Sequence, residues 1–80
     1  MNAGGISLFP NPSSGLVIVN GLKEQTEITV YDMLGHALLT QQSDAGKYIL
    51  DLRAFDKGFY SVVMKSDKSV VTKQLVLSGR

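Results

Sequence analysis

The chain has 80 residues, of which 44% are hydrophobic, and its eight Lys and Arg against seven Asp and Glu give a net charge of +1. This length allows one domain with a single core, and the balanced, scattered charges exclude an electrostatic nucleic-acid surface and a basic membrane-binding patch. The absence of cysteine excludes disulfides, thiolate metal sites and a cysteine nucleophile. Residues 1–5, MNAGG, are expected to be a linker or an expression scar, residues 6–77 a single domain and residues 78–80 a tail.

The N-terminal part predicts two strands separated by a rigid turn. "ISLF" predicts a short strand, and "LFPNPSSG" then places the only two prolines of the chain at positions 10 and 12. Proline has no N–H and restricts the residue before it, so Phe9 and Asn11 should be extended while the turn closes through Gly15. "LVIVN" predicts the second strand, and Asn20-Gly21 after it predicts a tight turn with positive φ.

The middle of the chain alternates in the manner of central strands. In "EITVYDM" and "GFYSVVMK" apolar residues occupy both faces, which is typical of strands with neighbours on each side. "HALLTQQ" predicts a further strand, and Gly35 before it is expected to be a hairpin glycine.

The last runs complete an all-β pattern. "KYILDL" places Tyr48, Leu50 and Leu52 on one face, and "VVTKQLVL" places Val71, Leu75 and Leu77 on one face with Lys73 among them. "LRAFDKG" is the one place that favours a short helical turn. Turn signals recur at intervals of roughly 8 to 12 residues, as in β-sandwiches. The pattern predicts a small Ig-like antiparallel β-sandwich of about seven strands.

No catalytic, cofactor-binding or metal-ligating residue is predicted. His36 is the only histidine and lacks the further ligands that zinc needs, and a turn aspartate such as Asp44 or Asp67 offers one carboxylate where calcium takes about six to eight oxygens. The carboxylates lie mostly in or beside turns, where Asp has a local hydrogen-bonding role, and no serine lies in a nucleophile elbow. An enzyme is therefore not expected.

Aromatic residues could instead form a sugar-binding platform, as they do on many β-sandwich binding modules. Because they lie within strand runs rich in Val, Ile and Leu, they are expected to supply core area. The aromatic residues in question are Tyr31, Tyr48, Phe59 and Tyr60. A non-catalytic carbohydrate-binding or adhesive module remains the alternative, and it needs at least two of them exposed on one face.

Four stretches in a fixed order carry a family resemblance: "LFPNPSSG", "VYDMLGHALL", "GFYSVVM" and "VTKQLVL". Together they resemble the type A C-terminal sorting domain of the type IX (Por) secretion system, over Ile6 to Leu77. The chain departs from the family pattern at His36, where lysine or arginine is usual, and in its tail after Leu77. The positions that match the family motifs are Pro10, Asn11, Pro12 and Gly15; Tyr31, Asp32 and Gly35; Gly58 and Tyr60; and Lys73, Leu75 and Leu77.

The resemblance implies a domain that acts as an address at the end of a larger secreted protein. The implied partners are the type IX machinery, a sortase-like surface peptidase that removes the domain, and a covalently linked N-terminal cargo. The implied route passes through the periplasm to the cell surface or the extracellular space, without cofactors and without direct membrane insertion by this domain.

A partner that reads a folded domain can pair with an edge strand. We therefore expect "VTKQLVL" to lie at a sheet edge and to be recognised there, with Lys73 and Arg80 as accessible charges. Open edges also allow a weak homodimer by strand pairing.

Overall fold

The computed structural model describes residues 5–78, and every regular element in that range is a β-strand. Within this range no helix is long and apolar enough to cross a membrane. The all-β prediction is confirmed, with the expected seven strands. They are β1 (Ser7–Phe9), β2 (Leu16–Leu22), β3 (Thr26–Tyr31), β4 (Ala37–Ser43), β5 (Gly46–Asp51), β6 (Gly58–Lys65) and β7 (Val70–Leu77).

The strands form two antiparallel sheets that enclose one core. The three-stranded sheet has the order β1-β2-β5, and the four-stranded sheet has the order β4-β3-β6-β7. The two strands with apolar residues on both faces, β3 and β6, are central, as predicted. Side chains of both sheets meet in the core: Val17, Val19, Leu22, Ile28, Val30, Leu50, Leu52, Tyr60, Val62, Met64, Leu75 and Leu77.

Strand alternation decides which aromatic residues enter this core. Along β6, Tyr60, Val62 and Met64 face inward and are buried. Phe59 lies on the opposite face with 58% of its surface exposed, so the prediction that it supplies core area was wrong. Tyr31 and Tyr48 are half-buried.

The Asn20-Gly21 pair is not a turn. Both residues lie within β2, where the register with β5 shifts between Asn20 and Leu22. A Cβ on Gly21 would lie 2.7 Å from the carbonyl oxygen of Gly5, and φ at Gly21 is +95°. The glycine therefore allows the irregularity in β2 and the close approach of the Gly5 backbone, and it does not form a hairpin turn.

The connection between β5 and β6 contains one hydrogen-bonded turn, at the place where the sequence favours a short helical turn. Its single backbone bond runs from the N–H of Phe55 to the carbonyl of Leu52, at 3.1 Å. At this end of the sandwich β7 also finishes, near Ser78, whereas the described chain begins at Gly5, beside Gly21 at the other end. The first and last described residues thus lie at opposite ends of the sandwich.

Candidate functional site

Most of the positions singled out in the sequence lie at one end of the sandwich. We call this the motif end; it comprises residues 10–15, 32–36, 55–60 and 74–78. The grouping follows from topology: β1, β3 and β7 finish there, while β2 and β6 begin there.

Asn11 binds the edge of β7 through its side-chain amide. Its Nδ2 donates to the carbonyl of Gln74 at 3.0 Å, and its Oδ1 accepts from the N–H of Val76 at 3.0 Å. The amide thus offers the donor and acceptor that a neighbouring strand would offer. The flanking Phe9-Pro10 and Asn11-Pro12 peptide bonds are both cis.

Ser13 continues the same attachment through its backbone. Its N–H donates to Val76 O at 2.9 Å, and its carbonyl accepts from Ser78 N at 2.8 Å, in a parallel bridge. The Ser13 hydroxyl donates to the carbonyl of Leu16 at 2.8 Å and accepts from the N–H of Gly15 at 3.0 Å. Ser13 has 2% of its surface exposed and holds the end of β7, although it is not among the positions that match the family motifs.

These contacts revise the expectation for the last strand. β7 is an edge strand by sheet order, as predicted. Its outward backbone groups between Gln74 and Ser78 are nevertheless taken by residues 11–13. A partner strand therefore does not find these backbone groups free, whereas recognition of β7 by the export machinery stays a prediction. Lys73 is exposed on β7, whereas Arg80 lies outside the described residues.

Asp32 organises the turn between β3 and β4. Its Oδ1 accepts from the N–H groups of Leu34 and His36, each at 2.9 Å, and its Oδ2 lies 3.1 Å from His36 Nδ1. The hydrogen bond from the His36 N–H is the main cause that lowers the pKa of Asp32. Gly35 completes the turn at φ +90°, so the predicted hairpin glycine is confirmed.

Gly58 and Tyr60 lie on β6, opposite the end of β7. Gly58 pairs with Leu77 and Tyr60 pairs with Leu75. The Tyr60 hydroxyl donates to the carbonyl of Asp56, and burial raises the pKa of this phenol. Tyr60 therefore ties the loop before β6 to the core.

The motif positions divide into buried and exposed sets. Gly15, Tyr60, Leu75 and Leu77 are buried, and Tyr31, Asp32 and Gly58 are half-buried. Those that are exposed are Pro10, Asn11, Pro12, Gly35 and Lys73. Two of the exposed ones act on the backbone: Asn11 holds β7, and Gly35 supplies a positive φ.

Three large apolar side chains project from the motif end. Met33 is 72% exposed, Leu34 is 82% exposed and Phe59 is 58% exposed. We call these three residues the apolar knob. They line an open cleft of about 270 Å³ together with Asp32, Lys57, Gly58 and Tyr60. The sequence signal was present, since Met and Leu at the tip of a hairpin stand where polar residues are usual.

This arrangement suits binding. A hairpin tip held by three contacts to one carboxylate presents apolar side chains in a fixed position, and exposed apolar patches commonly mark protein interaction sites. Among residues 5–78, no group of three or more His, Cys, Asp or Glu side chains is arranged to hold a metal ion.

The comparison with protein families identifies the class of domain. The family described as "Secretion system C-terminal sorting domain" matches residues 7–78. The chain therefore belongs to the family of C-terminal sorting domains of the type IX secretion system. No curated protein matches the chain.

Membership defines the role of the domain. It is the C-terminal sorting signal that directs a secreted protein through the type IX system, a role that is not catalytic. The family implies interaction with the type IX machinery, attachment to an N-terminal cargo domain, and delivery to the cell surface or extracellular space. The carbohydrate-binding alternative is not supported. The two exposed phenylalanines, Phe9 and Phe59, moreover lie on different sheets.

Proposed function

We propose that the export machinery reads the motif end as a rigid surface, and that the apolar knob is the part it contacts. The observation that carries the proposal is the exposure of Met33, Leu34 and Phe59 beside motif residues that hold the backbone in place. The family motif positions then act in two ways: the buried ones support the end of the sandwich, and Asn11, Asp32 and Gly35 fix its loops.

The position of Gly5 supports this proposal. Residues 6–77 form the sorting module in this proposal, with residues 1–5 as the linker to the cargo and residues 78–80 as a tail; residues 1–4 and 79–80 lie outside the described part of the chain. Since Gly5 lies at the far end of the sandwich from the motif end, a folded cargo leaves the motif end accessible.

We further propose that the fusion crosses the periplasm before export and that a sortase-like surface peptidase then removes the domain. Gly5 is exposed, and a Cβ at this residue would meet no atom within 4 Å. A linker that leaves the sandwich here is accessible to a peptidase while the domain stays folded.

The test is a reporter fused before the 80-residue chain, located in strains with and without a working type IX system. We expect the reporter at the surface or in the medium only in the working strain. The variant with Met33→Ser and Leu34→Ser should lose most export, whereas Val70→Ser, at a residue that is 61% exposed on another part of the sandwich, should not.

Thermal unfolding of the purified variants separates a recognition defect from a folding defect. A folded double variant that is exported as well as the original chain would contradict the role of the knob. An original fusion that is retained in the working strain would contradict the larger proposal.

A further inference from the structure

The four edge strands of the described sandwich differ in how open they are. β1 has three residues and is followed by Pro10, and the second half of β7 is covered by residues 11–13. The register of β4 shifts opposite the end of β3. β5 (Gly46–Asp51) runs six residues in an edge position, and its register with β2 is regular from Lys47 to Asp51.

The hydrogen bonds between β5 and β2 show which backbone groups of β5 point away from β2. The N–H of Leu52 donates to the carbonyl of Gly15 at 2.8 Å, so Leu52 points toward β2. In antiparallel pairs this orientation alternates along the strand. The N–H and C=O groups of Lys47, Ile49 and Asp51 therefore point away from β2, where a further strand would pair.

The outer face of the same sheet carries a row of apolar side chains. Phe9 pairs with Ile18, and Ile18 pairs with Ile49, so the three residues lie side by side across the three strands. Phe9 is 43% exposed and Ile49 is 59% exposed. The row thus ends at the open edge with its most exposed member.

We propose that β5 pairs antiparallel with β5 of a second copy of this chain, centred on Ile49. In this register the two Ile49 residues face each other, and their outward backbone groups match. Lys47 of each copy lies opposite Asp51 of the other, because both residues are two positions from the centre. Opposite charges in directly facing positions stabilise a strand pair, whereas like charges destabilise it.

The pairing joins the two three-stranded sheets into one of six strands and extends the apolar row across the two-fold axis. Asp51 keeps its own contact with Arg53, whose Nη2 lies 2.8 Å from Asp51 Oδ2, and gains Lys47 of the second copy on its other side. One added strand pair buries less surface than a standard stable interface. The dimer is accordingly weak and forms at high protein concentration.

Sedimentation velocity on the full 80-residue chain over a concentration series tests this pairing. We expect reversible dimerisation that Ile49→Lys weakens by roughly tenfold or more, because two ammonium groups then face each other and the paired Ile surface is lost. Ile49→Glu should weaken it similarly, and an equimolar mixture of the two variants should restore dimerisation as a heterodimer.

Val70→Lys is the matched control, since Val70 is an edge-strand residue of similar exposure, at 61%, on the other sheet. It should dimerise as the original chain does, and circular dichroism should show all variants folded. An original chain that stays monomeric at the highest concentration would overturn the proposal and leave the edge to a strand of another protein. So would an Ile49→Lys variant that dimerises normally, a mixture that forms no heterodimer, or an equal loss in Val70→Lys.

Discussion

Replacing Asn11 by Ala tests whether the amide of this residue stabilises the end of β7. The substitution removes two hydrogen bonds of 3.0 Å, one to Gln74 O and one from Val76 N. A typical intramolecular hydrogen bond contributes about 0.5 to 1.5 kcal/mol, and exposure of this side chain places both at the lower end. We expect the free energy of unfolding to fall by about 1 to 2 kcal/mol, or the Tm to fall by roughly 4 to 16 °C for a domain of this size.

Urea unfolding followed by circular dichroism measures the loss. The matched control is Gln25→Ala, which removes another exposed amide whose single side-chain contact, to Asp44, is 3.5 Å long. This control should change stability by a few tenths of a kcal/mol at most. If Asn11→Ala is as stable as Gln25→Ala, the Asn11 amide does not stabilise the end of β7, and the role of this side chain must lie in direct recognition.

Three further predictions concern the core, a turn and an exposed carboxylate. Leu75→Ala, at a residue with 0% exposure, should cost about 2 to 5 kcal/mol in urea unfolding. Gly35→Ala should cost about 1 kcal/mol in the same assay, because φ is +90° while the surrounding space is open. The Arg53 side chain lowers the pKa of Asp51 to about 2 from 3.8. The stability from this pair is therefore present above pH 3.8 and is lost as the pH falls toward 2, so the Tm difference between the original chain and Asp51→Asn should shrink over that interval.

Local patterns predicted the strands because alternation reports directly which faces are buried. β3 and β6 carry apolar residues on both faces, and the structure places both at the centre of the larger sheet. The same rule explains the error at Phe59: this residue shares a strand with the core residue Tyr60, yet period-2 geometry turns it outward. Aromatic character alone did not reveal which face it occupies.

Local sequence patterns did not predict the long-range contacts. Asn11 and Ser13 bind a strand more than sixty positions away along the chain. The residues of "LFPNPSSG" do not indicate which strand that is. The Asn20-Gly21 pair predicts a hairpin turn by local rules, whereas the close approach of Gly5 explains why glycine stands at position 21. The resemblance to a family supplied the function, which composition and spacing alone did not.

The structure separates residues that hold the backbone of the motif end from residues that are exposed on it. An export machine that accepts a folded domain depends on a surface of fixed shape, and at the motif end much of that shape comes from backbone contacts made by Asn11, Ser13 and Asp32. These three residues form hydrogen bonds within the chain, whereas Met33 and Leu34 supply exposed apolar surface. In the proposed function, the residues that match the motif are thus distinct from the residues that the machinery contacts. Variants in the first group should lose stability and export together, and variants in the second group should lose export alone.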